Sequence, residues 1–194
     1  MKIPIEISAR HIHLSKNDVE NLFGKNHNLK KTKDISQPNQ FACKETVSLI
    51  NGDKIIENVR IVGPERTNTQ VEISKTDAFT LKVNPPVRIS GDIKNSSPIT
   101  LKSRQKTITI KEGLIIAKRH LHIAPSEAEK LNIKNGDKVS VRIDGERSLV
   151  YNEIIVRSHE GIDELSMHLD TDEANAGLIN PNDEGELVKW IKEY

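Results

Sequence analysis

One short basic-histidine motif occurs twice in this chain, as SARHIHLS around His11 and as AKRHLHIA around His120. An offset of 109 positions aligns Arg10 with Arg119, His11 with His120, His13 with His122, Leu14 with Ile123, Asp18 with Glu127, Glu20 with Glu129 and Leu22 with Leu131. Chance rarely writes R-H-[IL]-H-[LI] twice in 194 residues, so the chain is expected to hold two related subdomains. Each copy reads as a short strand followed by a helix. In the first, Ser15 is a helix N-cap with Asp18 three residues on, and Gly24 ends the helix. In the second, Pro125 takes the first helical position and the helix runs to about Leu131.

Elsewhere apolar residues alternate, in 59–62, 107–111, 138–143 and 154–157, with Asn-Gly turn signals at Asn51-Gly52 and Asn135-Gly136. Rings are scarce, at 3% of residues, so the core must be built from Ile, Val and Leu, which favours strands. The expected class is mostly β, with two small related subdomains and short helices. Residues 24–40 read as a polar loop and 91–97 as a turn-rich break. The end of the chain, 183–194, places Leu187, Trp190 and Ile191 at helical spacing and reads as a short helix.

Composition narrows the function by exclusion. Lys and Arg number 29 against 28 Asp and Glu, a net charge of +1, which leaves no basic excess for neutralising nucleic-acid phosphates. Few aromatics means few platforms for stacking single-stranded bases. No apolar run approaches the roughly 20 residues that span a bilayer, and Pro4 and Glu6 interrupt the stretch a signal peptide would need. The reading is a soluble protein without nucleic-acid or membrane partners. One cysteine, Cys43, agrees with a reducing compartment and reads as a small core residue.

Alternate side chains of a strand share a face, so His11 and His13 can address one point, as can His120 and His122. That is metal-ligand geometry. A lone histidine is more often a surface or satisfied core residue, and His27 and His159 read that way. Neutral imidazole suits zinc, copper, iron or nickel, and completing a site needs further ligands, for which Glu72 in GPERTNTQVEIS and His168 in MHLDTDEANAG are the candidates.

In this order the segments SARHIHLS, GPERTNTQVEIS, NPPVRISGD, AKRHLHIAP and MHLDTDEANAG resemble the PduL-type phosphate acyltransferases, also called phosphate propanoyltransferases, over about residues 3–180. The resemblance implies an enzyme that moves an acyl group between coenzyme A and inorganic phosphate, on two small β-barrels whose N-terminal strand completes the C-terminal one. It divides the chain into a first barrel, 10–117, a second, 118–182 with 1–9, and the tail 183–194. By motif it implies two zinc ions per chain. His11, His13 and Glu72 would hold the zinc that takes the coenzyme A sulfur, and His120, His122 and His168 the one open to water or phosphate. Arg66 matches the arginine that binds phosphate, and Ser8, Arg60 and Asn175 match coenzyme A contacts.

The partners implied are acyl-CoA and coenzyme A, phosphate and acyl phosphate, with a homodimer the expected assembly. An extension that targets some members to bacterial microcompartments is not seen ahead of the motif beginning at Ile5, so the expectation is a cytoplasmic enzyme acting on acetyl-CoA or propanoyl-CoA. Two other readings fit the residues: a dinuclear zinc hydrolase acting on a thioester, and a non-catalytic barrel that binds metal or coenzyme A.

Overall fold

The computed structural model describes residues 1–161 and 165–188. In chain order its first half runs β1 (Lys2–Ser8), β2 (His11–His13), α1 (Lys16–Phe23), β3 (Lys31–Asp34), β4 (Phe41–Asn51), β5 (Lys54–Gly63), β6 (Gln70–Glu72), α2 (Lys75–Leu81), β7 (Val87–Arg88) and β8 (Ser97–Lys102). There follow β9 (Thr107–Ala117), β10 (His120–His122), α3 (Pro125–Lys130), β11 (Lys138–Ile143), β12 (Leu149–Arg157), β13 (Ser166–Asp170), α4 (Thr171–Ala176) and β14 (Glu184–Val188). The protein is mostly β, and its backbone separates into two compact units, one of Ala9–Ala117 and one of Met1–Ser8 with Lys118–Tyr194.

In the first unit the strands close in the order β4-β5-β2-β6-β9-β8, because β8 pairs with both β9 and β4. β3 and β7 extend β4 and β9 outside this ring. Ile12, Leu14, Leu49, Ile61, Val71, Leu101 and Leu114 fill the interior, each fully buried. Burying each such side chain stabilises by about 1.5–3 kcal/mol. Gly113 comes just before Leu114, where β9 begins to pair with β6: its φ is +131°, and a Cβ there would stand 2.6 Å from the Thr69 carbonyl oxygen. Only glycine satisfies both conditions.

The second unit is a closed barrel, β1-β13-β10-β12-β11-β14. The N-terminal strand completes it: residues 2–4 of β1 pair antiparallel with β14, and 5–8 pair parallel with β13. Pro4 has no N–H to donate, and it lies just before the ladder with β13 begins at Ile5. Ile3 and Ile5 alternate inward and pack with Leu121, Val141, Val156, Met167 and Leu169.

The repeat is visible in the ladders. β2 lies between a parallel partner, β5, and an antiparallel one, β6; β10 lies between parallel β12 and antiparallel β13. The outer neighbour of β6 is the end of β9, and that of β13 is β1, again parallel. Each strand that precedes a histidine motif in the chain therefore belongs to the other motif's unit.

Local signals behave as read. Ser15 caps α1 by accepting from the Asp18 amide, with Gly24 as its C-cap, and Pro125 opens α3. Two segments differ from the reading. Residues 24–40 include β3, whose side chains are all exposed, so its strand character comes from backbone pairing with β4 and leaves no hydrophobic alternation to read. The C-terminal segment is a strand, β14, over Glu184–Val188, where a helix was expected. The barrel needs a strand between β1 and β11, and the close packing of Gly185 on Val141, where a Cβ would collide with Val141 Cγ1, fits a ladder. Trp190 and Ile191, the rest of that expectation, lie outside the described residues. Among the described residues no helix is long and apolar enough to cross a membrane.

Candidate metal centres

β2 sends His11 and His13 toward one point, and the ladder brings Glu72 of β6 directly opposite His11. One donor atom from each of His11, His13 and Glu72 lies within 4.8 Å of the others. His11 Nδ1 stands 2.9 Å from the Ala9 carbonyl oxygen and His13 Nδ1 3.2 Å from that of Val62. A carbonyl can only accept, so Nδ1 is the donor in each ring, and the tautomer that ligates a cation through Nε2 is the one these contacts select. The carboxylate is oriented in the same sense. Oε1 of Glu72 accepts from Gln70 Nε2 at 2.6 Å and from Ser90 Oγ at 3.0 Å, while Oε2 faces His11 Nε2 at 3.7 Å. Gln70 is itself held by the Gly91 amide, so the NPPVRISGD segment serves this centre through Ser90 and Gly91. The sequence reading gave neither Gln70 nor Ser90 a role.

The second unit repeats the arrangement with a histidine in place of the glutamate. His120 faces His168 across the β10–β13 ladder, and donor atoms of His120, His122 and His168 lie within 4.8 Å of one another. His120 Nδ1 stands 3.0 Å from the carbonyl oxygen of Lys118, the residue aligned with Ala9 by the repeat. His168 sits between two hydroxyls, Ser8 Oγ at 3.4 Å from Nδ1 and Ser166 Oγ at 3.1 Å from Nε2.

Burial sets the charge state. His13 is pushed down to about 3, first by burial and then by the charges of His11 and Arg66. His122 is pushed down to about 3 by burial, then by His120 and Arg157. Both rings are neutral at pH 7, the form that ligates metals. His122 Nε2 is buried without a hydrogen-bond partner, a position a protein rarely tolerates unless the lone pair has another use. Two His and one Glu, or three His, are donor sets that suit zinc with a coordination position left open.

Arg66 belongs to the first unit. Its amide donates to the Leu14 carbonyl at 2.8 Å, which ties the GPER turn to the end of the first histidine motif, and its charge acts on His13. Arg60 stands opposite His11 on the other side of β2 and donates to the Cys43 carbonyl at 2.8 Å. In the second unit Ser8 ends β1 beside His168, and Asn175 is an exposed residue of α4.

His27, His159 and Cys43 belong to neither group of donors, although the charge of His159 acts on His122. His27 pairs with Glu45 at 2.9 Å and stacks on Phe23, and His159 is exposed. Cys43 is fully buried in the first core and its thiol is pushed up to about 11 by burial.

Residues 4–180 match the family model described as phosphate propanoyltransferase. The chain is 44% identical over 189 residues to a phosphate propanoyltransferase of Alkaliphilus metalliredigens, covering 97% of this chain and 89% of the relative. It is 50% identical over 185 residues to one of Priestia megaterium, covering 95% and 85%. A third, of Thermotoga maritima, is 44% identical over 189 residues, covering 97% and 90%.

Proposed function

Because the chain belongs to the phosphate propanoyltransferase family, we propose that it transfers a short acyl group, acetyl or propanoyl, between coenzyme A and inorganic phosphate, with one zinc ion held by each histidine group. It is an acyltransferase. The observation that carries the metal part of this reading is the second group, where His122 offers a buried, neutral and otherwise unused Nε2 beside His120 and His168.

His11, His13 and Glu72 would hold the cation that receives the coenzyme A sulfur; His120, His122 and His168 would hold the one on the phosphate side. When bound, the two cations supply compact positive charge that favours a departing thiolate and lowers the repulsion between phosphate and carbonyl oxygens. The chain's own residues do the rest. Arg66 takes phosphate with its planar fork and fixes which oxygen faces the thioester carbonyl. Arg60, Ser8 and Asn175 would bind coenzyme A. A phosphate oxygen then attacks the carbonyl carbon, the carbon–sulfur bond breaks with its electron pair going to sulfur, and acyl phosphate leaves with coenzyme A as the other product.

No side chain has to be acylated. Cys43 is buried and its thiol stays protonated at neutral pH, which removes the one thiol as a nucleophile. Zinc analysis of the purified chain, paired with initial rates on acetyl-CoA plus phosphate before and after chelation, tests the proposal. Two zinc per chain and loss of turnover on chelation are expected; full turnover by metal-free protein would overturn the metal centres.

A further inference from the structure

The residue just before each histidine motif is an arginine, and both arginines bind the acid of a helix capping box. Arg10 Nε lies 2.9 Å from both carboxylate oxygens of Asp77, and Nη2 lies 2.7 Å from Oδ1. Asp77 is buried and is the third residue of α2, where it forms a capping box with Ser74. Ser74 comes two residues after Glu72. In the other unit Arg119 Nη1 binds Glu173 Oε1, and Glu173 is the third residue of α4, in a capping box with Asp170. Asp170 comes two residues after His168. Arg119 is further fixed by donating to the Asn152 carbonyl at 2.8 Å and by lying over the Tyr151 ring.

The two constructions use different acids and different N-caps, so common side-chain identity does not produce them. What they share is placement. In each unit the arginine ties the start of the strand bearing two of the grouped histidines to the helix that leaves the strand bearing the third grouped residue. The covalent path from the third residue to the clamped helix turn is two residues long, and the capping box makes that turn stiff.

We propose that Arg10 and Arg119 are positioning residues, each holding the third donor of its own centre, Glu72 or His168, at binding distance from the paired histidines. The proposal rests on the reading of the two groups as metal centres. The Arg10 guanidinium presents two nitrogens to Asp77, and the Arg119 plane is fixed by two acceptors, Glu173 and the Asn152 carbonyl, so each sets direction as well as distance, which a lysine ammonium does not. Partners that orient metal ligands typically change affinity by on the order of 10–100-fold when lost.

The test isolates each centre by disabling the other. In His122→Ala protein only the first group is complete, and in His13→Ala only the second; zinc affinity is measured in each by chelator competition, with and without Arg10→Lys or Arg119→Lys. Circular dichroism and melting in excess chelator report folding independently of metal. Arg10→Lys is expected to weaken zinc at the first centre at least tenfold and leave the second unchanged, with Arg119→Lys doing the reverse. Asp77→Asn and Glu173→Gln approach each clamp from its other side and are expected to give the same pattern. Lower melting temperatures with unchanged zinc affinity would reduce both pairs to structural ion pairs and overturn the proposal, as would loss at both centres from either variant. If the unsubstituted chain fails to bind two zinc ions, the metal reading itself falls, a result distinct from two tight sites that ignore the arginines.

Discussion

His120 and His168 stack across the β10–β13 ladder with ring centroids 4.9 Å apart and planes 8° from parallel. His122 meets the same His168 ring edge-on at 4.9 Å. The three rings bring donor atoms to within 4.8 Å of one another, and burial with the neighbouring charges holds His122 neutral, an arrangement that suits a shared cation.

Stability should therefore depend on pH. His13 and His122 have folded-state values near 3 against an ordinary 6.5, so the unfolded chain binds protons more readily between those limits. Stability should rise with pH through that window, and be lost as pH falls through 6.5 toward 3. In metal-free protein the melting temperature should fall between pH 7 and pH 5, and His122→Gln should flatten that slope. An unchanged slope in the variant would remove His122 as a buried neutral ring.

Arg66→Lys keeps the charge and loses the fork. The apparent KM for phosphate should rise by on the order of tenfold, ~1.4 kcal/mol, while acyl-CoA affinity changes little. Initial rates with each substrate varied in turn check this. Equal weakening of both substrates would make Arg66 a structural residue of the GPER turn.

The two histidine motifs should not be interchangeable. Isothermal titration of coenzyme A is expected to show weakened binding in His13→Ala and retained binding in His122→Ala, the latter failing instead in phosphate use. The opposite pattern would exchange the roles assigned to the two centres.

Ser166 lies 3.1 Å from His168 Nε2, the geometry of a hydroxyl nucleophile beside a base. Direct transfer to phosphate needs no such nucleophile, so Ser166→Ala should keep turnover within several-fold. Abolished turnover in a folded variant, with an acylated serine trapped in the parent, would replace direct transfer by a two-step route.

How much of this could be read in advance follows from distance along the chain. The H-x-H pairs were legible because two residues of one strand carry their own geometry. Glu72 and His168 are brought in by ladders joining segments far apart in sequence, and only their motifs marked them. Arg10 and Arg119 stood out in the repeat, but their partners Asp77 and Glu173 lie on helices whose capping boxes went unread. β3 and β14 were missed for a common reason: exposed or mixed side chains leave strand formation to the neighbouring backbone.

The central claim is that phosphate, and not water, receives the acyl group. Incubating the zinc-loaded chain with acetyl-CoA and counting coenzyme A and acetyl phosphate, with and without phosphate, tests it directly. The account predicts one acetyl phosphate per coenzyme A released and negligible release without phosphate. Coenzyme A release that continues without phosphate and yields acetate would contradict it and identify a thioester hydrolase.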